Sequence, residues 1–438
     1  MRVFAVVALA SLTFVVAGCG GASSVRSDSA SGGPPGSDAV RLVPAGVVAF
    51  MAFDTDRSSE QWQRLDQLTS ALPARAPFLQ KLRAALAQRG LSYDRDVAPA
   101  VGNELDLAAL NLGGAQPDVI AFARPSDQAK LRALASKFDS GGEHYTVQQI
   151  GEWSVVADSD AAFAAVRAAS SGRSLAQTAA YGAARARLDG DAIAWYYARG
   201  QQASSPLALQ WTAAKLELGR NAVRASAVAA GNIVPAPAVP KLLRDVPAES
   251  AFAASFESGA ALTTALRTAK LPSVPLTQLA PLLDGGGVAY VRPKGIFPEV
   301  AVELTPAHPE QALARARRLL RSNSSRFGPL RLTAELAAGR LVISDSPAAA
   351  SALRGGAKLV DEAAFKDALA TAGAPARTSA LVYANVSQLA PFLQLAAAGS
   401  GKPVDPALGD TLGDVGGLVA WTTRSNGISR FELRAARR

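Results

Sequence analysis

The sequence predicts an α+β fold in two duplicated halves, each a mainly antiparallel sheet with helices packed on it. Three observations predict it. The 438 residues exceed the roughly 100–200 expected of one domain. The order of motifs in the first half returns in the second. Strand-like runs outnumber helical ones and include two hairpins per half, which favours antiparallel sheets with helices on one side over a βαβ alternation.

The chain opens with Arg2, an apolar run from Val3 to Val16 and the small residues Ala17 and Gly18 before Cys19. That order is the pattern of a bacterial lipoprotein signal, which is processed away and has no part in the fold. The uncharged run is also short for a membrane span, which needs about 20 residues. The expectation is therefore a signal peptide over 1–18 and a mature chain beginning at Cys19, its sulfur and amino group carrying lipid such as palmitate. Residues 19–38 are mostly Gly, Ser, Ala, Pro and Asp, too polar to bury a core. They read as a flexible tether with a reach of roughly 25 Å.

The first half, residues 39–234, opens on Val43-Pro44-Ala45 and an apolar run ending Phe53-Asp54, a strand covered on both faces. Helices are predicted over Ser59–Ser70 and Pro77–Arg89, then strands over Glu104–Leu110 and Val119–Ala123. Asp127 caps the next helix, whose inner face is Leu131, Leu134, Ala135 and Phe138. Tyr145–Ile150 and Trp153–Ala157 form a hairpin around Gly151-Glu152, and Asp158-Ser159 starts a helix. A helix over Gln177–Leu188, a strand over Ala192–Ala198 and a hairpin around Gly219-Arg220-Asn221 complete the half.

The second half, 235–438, follows Pro235, Pro237 and Pro240 and repeats the order. Val246-Pro247-Ala248 answers Val43-Pro44-Ala45, and Glu257 answers Asp54. Val342-Ile343-Ser344-Asp345-Ser346 matches Val155-Val156-Ala157-Asp158-Ser159. Phe365 answers Tyr181, and Tyr383 answers Tyr197. Asn426-Gly427 marks the closing hairpin. An extra segment over Gln388–Pro406 reads as a helix plus a loop. A repeat this long is duplication of a whole domain, unlike the short periods of solenoids.

Cys19 is the only cysteine, so the body has no disulfide, thiol nucleophile or Cys-based metal site. The formal net charge is +9, or +8 once Arg2 leaves with the signal. That modest excess suits weak contacts with anionic lipid or a wall polymer. Nucleic acid is the poorer partner for a protein expected outside the cytoplasm.

No stretch carries a specific catalytic motif. His144 and His308 have no ligand partners in sequence and read as ordinary surface or capping residues. Asp158 and Asp345 share a strand-to-helix junction, where a helix N-cap explains them better than an acid or ligand role. Asp54 and Glu257 have the same standing. Gly399-Ser400-Gly401-Lys402 lacks the leading glycine of a phosphate loop and has Pro403 where Ser or Thr belongs. Thr212-Ala213-Ala214-Lys215 copies Ser-x-x-Lys spacing but lies in a strand. Arg315, Arg317, Arg318, Arg321, Arg326 and Arg331 are the densest basic region. A solvated helix face explains it, with Leu313, Ala316 and Leu320 inward; the sharper reading is an anion-facing surface near the membrane. Trp195, Tyr196 and Tyr197 read as core.

The order of motifs resembles a bacterial family, chiefly actinobacterial, catalogued only as a domain of unknown function. The residues that carry the resemblance are Val43-Pro44-Ala45, Tyr93–Gly102 with its Asp96-Val97-Ala98-Pro99 core, Val156–Ser159, and Ser174-Leu175-Ala176 through Tyr181. The family often has a tryptophan in the proline-to-glycine step, which here reads Pro99-Ala100-Val101-Gly102. The resemblance implies a secreted, lipid-anchored or membrane-tethered protein and no particular activity.

The expectation is a protein anchored through Cys19 on the extracytoplasmic face of the cell membrane. It binds a ligand or partner, or acts as a scaffold, and needs no cofactor or metal. The cleft between the halves is the expected site. The alternative is an envelope hydrolase or transferase using Asp, Glu and Ser, which clustered carboxylates of raised pKa in a cleft would support.

Overall fold

The computed structural model describes residues 35–111, 117–139, 144–200, 209–231, 241–256, 282–283, 285–295, 298–322, 331–399 and 406–437. The signal peptide, Cys19, most of the tether, Pro235–Pro240, Glu257, Arg326 and Ser400–Pro403 lie outside them. The chain divides into two units, Met1–Asn232 and Ile233–Arg438.

The first unit holds strands β1 (Ala49–Asp54), β2 (Glu104–Leu110), β3 (Asp118–Ala123), β4 (Thr146–Ile150), β5 (Trp153–Ala157), β6 (Ala194–Arg199), β7 (Leu209–Leu218) and β8 (Ala222–Gly231). They lie in the order β4-β5-β3-β2-β1-β6-β7-β8 and pair antiparallel. Its helices are α1 (Glu60–Ser70), α2 (Arg75–Gln88), the short α3 (Ala98–Val101), α4 (Gln128–Ser136), α5 (Asp160–Ser170) and α6 (Ala179–Arg185).

The second unit holds β9 (Phe252–Phe256), β10 (Gly287–Arg292), β11 (Glu299–Leu304), β12 (Thr333–Ala337), β13 (Arg340–Ser344), β14 (Ala380–Asn385), β15 (Val415–Ser425) and β16 (Ile428–Arg437). Their order is β12-β13-β11-β10-β9-β14-β15-β16. Read strand for strand, this is the order of the first unit. Its helices are α7 (Pro309–Ser322), α8 (Pro347–Ala352), α9 (Ala363–Ala372), α10 (Val386–Gly399) and α11 (Pro406–Asp414). No helix was expected at α11, which follows the segment read as a helix plus a loop.

The Val-Pro-Ala openings do the same work in both units. Pro44 bridges Ser174, with Ala45 N donating to Arg173 O at 3.0 Å and Leu175 N to Val43 O at 2.7 Å. Pro247 bridges Lys358, with Ala248 N donating to Ala357 O at 2.9 Å and Leu359 N to Val246 O at 3.0 Å. Proline suits this place because the bridge asks nothing of its missing N–H.

Helices cover both faces of the first sheet, not one side as the strand count suggested. On one face Met51, Phe53, Leu105 and Leu107 meet Trp62 of α1, Leu86 of α2 and Leu131 and Leu134 of α4. On the other, Tyr181 of α6 packs edge-on against Phe50, Trp195 and Tyr197. The reason is in β1, whose Phe50 and Ala52 are buried while Met51 and Phe53 pack into the opposite cluster. A strand apolar on both faces requires cover on both.

Candidate functional site

The junction aspartates do not cap their helices. Ser159 Oγ accepts from Ala162 N at 3.2 Å to cap α5, and Ser346 Oγ accepts from Ala349 N at 3.1 Å to cap α8. Asp158 and Asp345 stand one residue earlier, outside the N-cap position whose side chain reaches the amides two or three residues on. Asp54 accepts from Ser59 Oγ at 2.6 Å and Asp56 N at 2.9 Å, and Ser59 in turn caps α1. Burial pushes the Asp54 carboxyl up to about 6, against those two hydrogen bonds. Asp127 does cap α4, accepting from Ala129 N and Lys130 N.

His144 is exposed, its Nδ1 3.3 Å from Asp139 Oδ2. His308 is exposed at the start of α7 and accepts from Ala312 N through its backbone oxygen at 3.0 Å. Thr212–Lys215 lies in β7. Arg315, Arg317, Arg318 and Arg321 are exposed on α7, while Ala312 and Ala316 are buried and Leu313, Leu319 and Leu320 half-buried against Leu304 and Leu341. Trp195 and Tyr197 are buried and Tyr196 half-buried. The structure brings none of these candidates together as a site.

Two features that no sequence motif marked stand out in the first unit. The first is an acidic pair on β2. Alternation puts Glu104 and Asp106 on the face opposite Leu105 and Leu107. Register sets Asp106 against Ala52 and Phe122, and Glu104 against Asp54. Gly102 fixes what lies beside them. It bridges Arg124, has φ +70°, and a Cβ there would fall 1.9 Å from Arg124 O. Only glycine allows that approach, and it brings Arg124 next to Glu104.

Glu104 accepts from Gly36 N at 2.5 Å. Arg124 donates to Asp38 Oδ2 at 3.0 Å and stacks over Trp153 at 4.2 Å. Arg185 lies 4.7 Å above the Trp195 ring. Asp106 is fully buried, and among the described residues neither carboxyl oxygen has a hydrogen-bond donor. Two adjacent buried carboxylates cannot both ionise cheaply. Burial and the Glu104 charge push Asp106 well above the ordinary carboxylate range. Burial raises Glu104 too, opposed by the Gly36 amide, Asp106 and Arg124. Glu104 has the amide and the arginine, so it carries the charge, and Asp106 carries the proton. Carboxylates of raised pKa thus cluster as the hydrolase alternative asks, but under a lid of protein and not in a cleft.

The second feature is an apolar pocket between α4 and the sheet. Leu105, Ala121, Ala123 and Val156 form its floor and Leu131 and Leu134 face them, around a cavity of about 60 Å³ that opens at its mouth. Tyr145 is the one lining residue with a polar side-chain atom. The space exists because alanines stand at 121 and 123 under a helix that presents leucines. Among the described residues no group of His, Cys, Asp and Glu is placed to hold a metal ion. Nor, among them, is any helix long and apolar enough to cross a membrane.

Residues 3–166 match a family model described as "Protein of unknown function (DUF3352)". The DUF3352 match takes in the Val43-Pro44-Ala45 opening, the acidic pair, Arg124 and every lining residue of the pocket. No curated protein matches the chain. A solved structure titled "Structure of crystal form I of TP0453" is 10% identical over 73% of this chain and 98% of its own, with a TM-score of 0.19. A likeness at that level carries no argument.

Proposed function

We propose that the chain is an envelope protein anchored by lipid at Cys19, outside the cytoplasm, and that its first unit binds an alkyl or acyl chain in the pocket between α4 and the sheet. The pocket carries the binding part of this reading. The pocket is lined almost wholly by aliphatic and aromatic side chains and opens at its mouth, the character of an apolar ligand site. Apart from Tyr145 its lining side chains are all apolar, so an apolar chain meets no charge to desolvate. Each buried methylene contributes about 0.8 kcal/mol, so six or seven of them offset much of the cost of immobilising a chain.

The Val16-Ala17-Gly18-Cys19 pattern supports the anchor, and the short polar tether would keep the body within reach of acyl chains. The exposed arginines of α7 suit anionic headgroups or a wall polymer, each contact weak and weakened further by salt. The alternative of an envelope hydrolase is less favoured, because Asp106 is fully buried and no substrate reaches it in this conformation.

Two measurements test the reading. Intact mass of the protein from its own membrane should exceed the mass calculated for residues 19–438 by the acyl groups, and the Cys19→Ala variant should carry none; a wild type without acyl mass overturns the anchor. Titration of the Cys19→Ala chain with dansyl-undecanoate should saturate at one site. Ala121→Phe, which fills the floor, should weaken binding at least tenfold; unchanged binding overturns the pocket assignment.

A further inference from the structure

Residues 35–38 fall at the end of what the sequence reads as tether, yet they are pressed onto the sheet. Pro35 and Gly36 are buried. A Cβ on Gly36 would stand 2.8 Å from Ala52 Cβ and 2.9 Å from Phe50 Cε1, and its φ is +78°. Three polar contacts hold this strap: Gly36 N to Glu104 Oε1 at 2.5 Å, Arg124 Nη2 to Asp38 Oδ2 at 3.0 Å, and Arg185 Nη1 to Pro35 O at 3.5 Å. All three end on Glu104 or on the two arginines that face the acidic pair.

We propose that residues 35–38 are a proton-operated latch, docked while the Glu104–Asp106 pair shares one proton and lifted from the sheet when that proton leaves. The charges around the pair explain why. Arg124 and Arg185 are the cations that face it, from the segment after β3 and from α6. The strap supplies Asp38 and β2 supplies Glu104, two carboxylates for two arginines. Asp54 of β1 adds a third carboxylate across the ladder from Glu104. Tyr181 of α6 faces the pair as a neutral hydroxyl, its ionisation pushed far up by burial. A charge on Asp106 therefore has, among the described residues, no cation of its own and no donor. It gains hydration only if the cover comes off, and Gly36, seated on Glu104 and on Ala52 across the ladder from Asp106, is the part of that cover the strap supplies.

Linkage gives the direction and the steepness. The docked state holds a proton that the lifted state, with Asp106 in water, releases near pH 4. Between that value and the raised value of the docked state, each pH unit multiplies the lifted-to-docked ratio by about ten. Acid closes the latch and alkali opens it.

Hydrogen exchange on the full mature protein tests this, followed in the peptide spanning residues 35–42 between pH 5 and 9. Rates are taken relative to the intrinsic rate at each pH, with the β1 peptide, residues 49–54, as internal reference. Strap protection should fall as pH rises, by up to about tenfold per pH unit, while β1 protection holds. Asp106→Asn keeps the shape, donates to Glu104 and cannot ionise, so its strap should stay protected with no slope. Gly36→Ala should expose the strap at every pH and leave β1 protected. A flat wild-type profile, a slope that survives Asp106→Asn, or a protected strap in Gly36→Ala overturns the latch. These readouts do not involve the apolar pocket, so failure here leaves the acyl-chain reading standing.

Discussion

Phe365 meets Tyr383 edge-on, with ring centroids 5.0 Å apart and planes at 83°. Tyr181 meets Tyr197 in the same way in the first unit, at 5.6 Å and 72°. In each unit a helix after a 3-10 turn meets the strand beside the opening strand edge-on through aromatic rings, Tyr181 adding Trp195 of the same strand. Phe365 is buried among Ala253, Leu381 and Trp421, so Phe365→Ala should cost about 3–5 kcal/mol. Urea denaturation of the full chain measures it, and a loss under 1 kcal/mol would show that the ring pair is not a main tie.

Ser159→Ala and Ser346→Ala should each cost about 1 kcal/mol, the usual value of a lost helix cap. Alanine at Asp158 or Asp345 should cost less than at the neighbouring serine. Thermal unfolding of the four variants ranks them, and the reverse order would restore the aspartates as caps.

Glu299 is one of the buried acids of the second unit, with Glu303 and Glu432, and both of its carboxyl oxygens are partnered. It accepts from Tyr290 Oη at 3.0 Å, Arg292 Nη2 at 2.5 Å and Lys294 Nζ at 3.0 Å. Burial pushes its carboxyl up, but the hydrogen bonds from Lys294 and Tyr290 and the charge of Arg292 outweigh it and hold it below the ordinary value. Its contribution is therefore present above pH about 4.3 and lost as pH falls through the lower, folded value. Glu299→Ala should cost about 3–5 kcal/mol at pH 7, because it strands the Arg292 charge. The deficit should shrink in acid; a deficit that is constant with pH would contradict the ionised assignment.

Asp54 should behave in the opposite sense. Its folded value of about 6 lies above the unfolded one, so its contribution is full below pH about 4 and falls as pH rises to about 6. Asp54→Asn should remove that slope and gain about 2 kcal/mol at pH 7. Denaturation midpoints at pH 4, 5, 6 and 7 check it.

Much of the fold was legible because strands and turns announce themselves locally. Asn426 and Gly427 carry the positive φ values, 46° and 72°, that a two-residue hairpin turn requires. The Asp127 cap and the inner face of Leu131, Leu134 and Ala135 follow from spacing alone. The capping serines were misread because Asp and Ser are adjacent at both junctions, and only backbone geometry decides which one reaches the amide. Strap docking was not legible: Pro35-Gly36-Ser37-Asp38 has a linker's composition, and its partners, Glu104 and Arg124, lie 68 and 86 residues away. The acidic pair did leave a signal. Glu104-Leu105-Asp106 puts two carboxylates on one face of a strand whose neighbours are apolar on both sides, and such a burial needs a reason. The pocket left none, since an alanine over a void and an alanine in a tight core look alike in sequence.

The account stands most directly on what the pocket holds. Native mass spectrometry of the mature protein, extracted gently from its own membrane and compared with the same sample denatured, would decide it. The prediction is a non-covalent alkyl-chain mass that the folded wild type retains, denaturation releases and Ala121→Phe lacks. A clean protein mass in the folded wild type, with only the acyl groups on Cys19, would contradict the acyl-chain assignment.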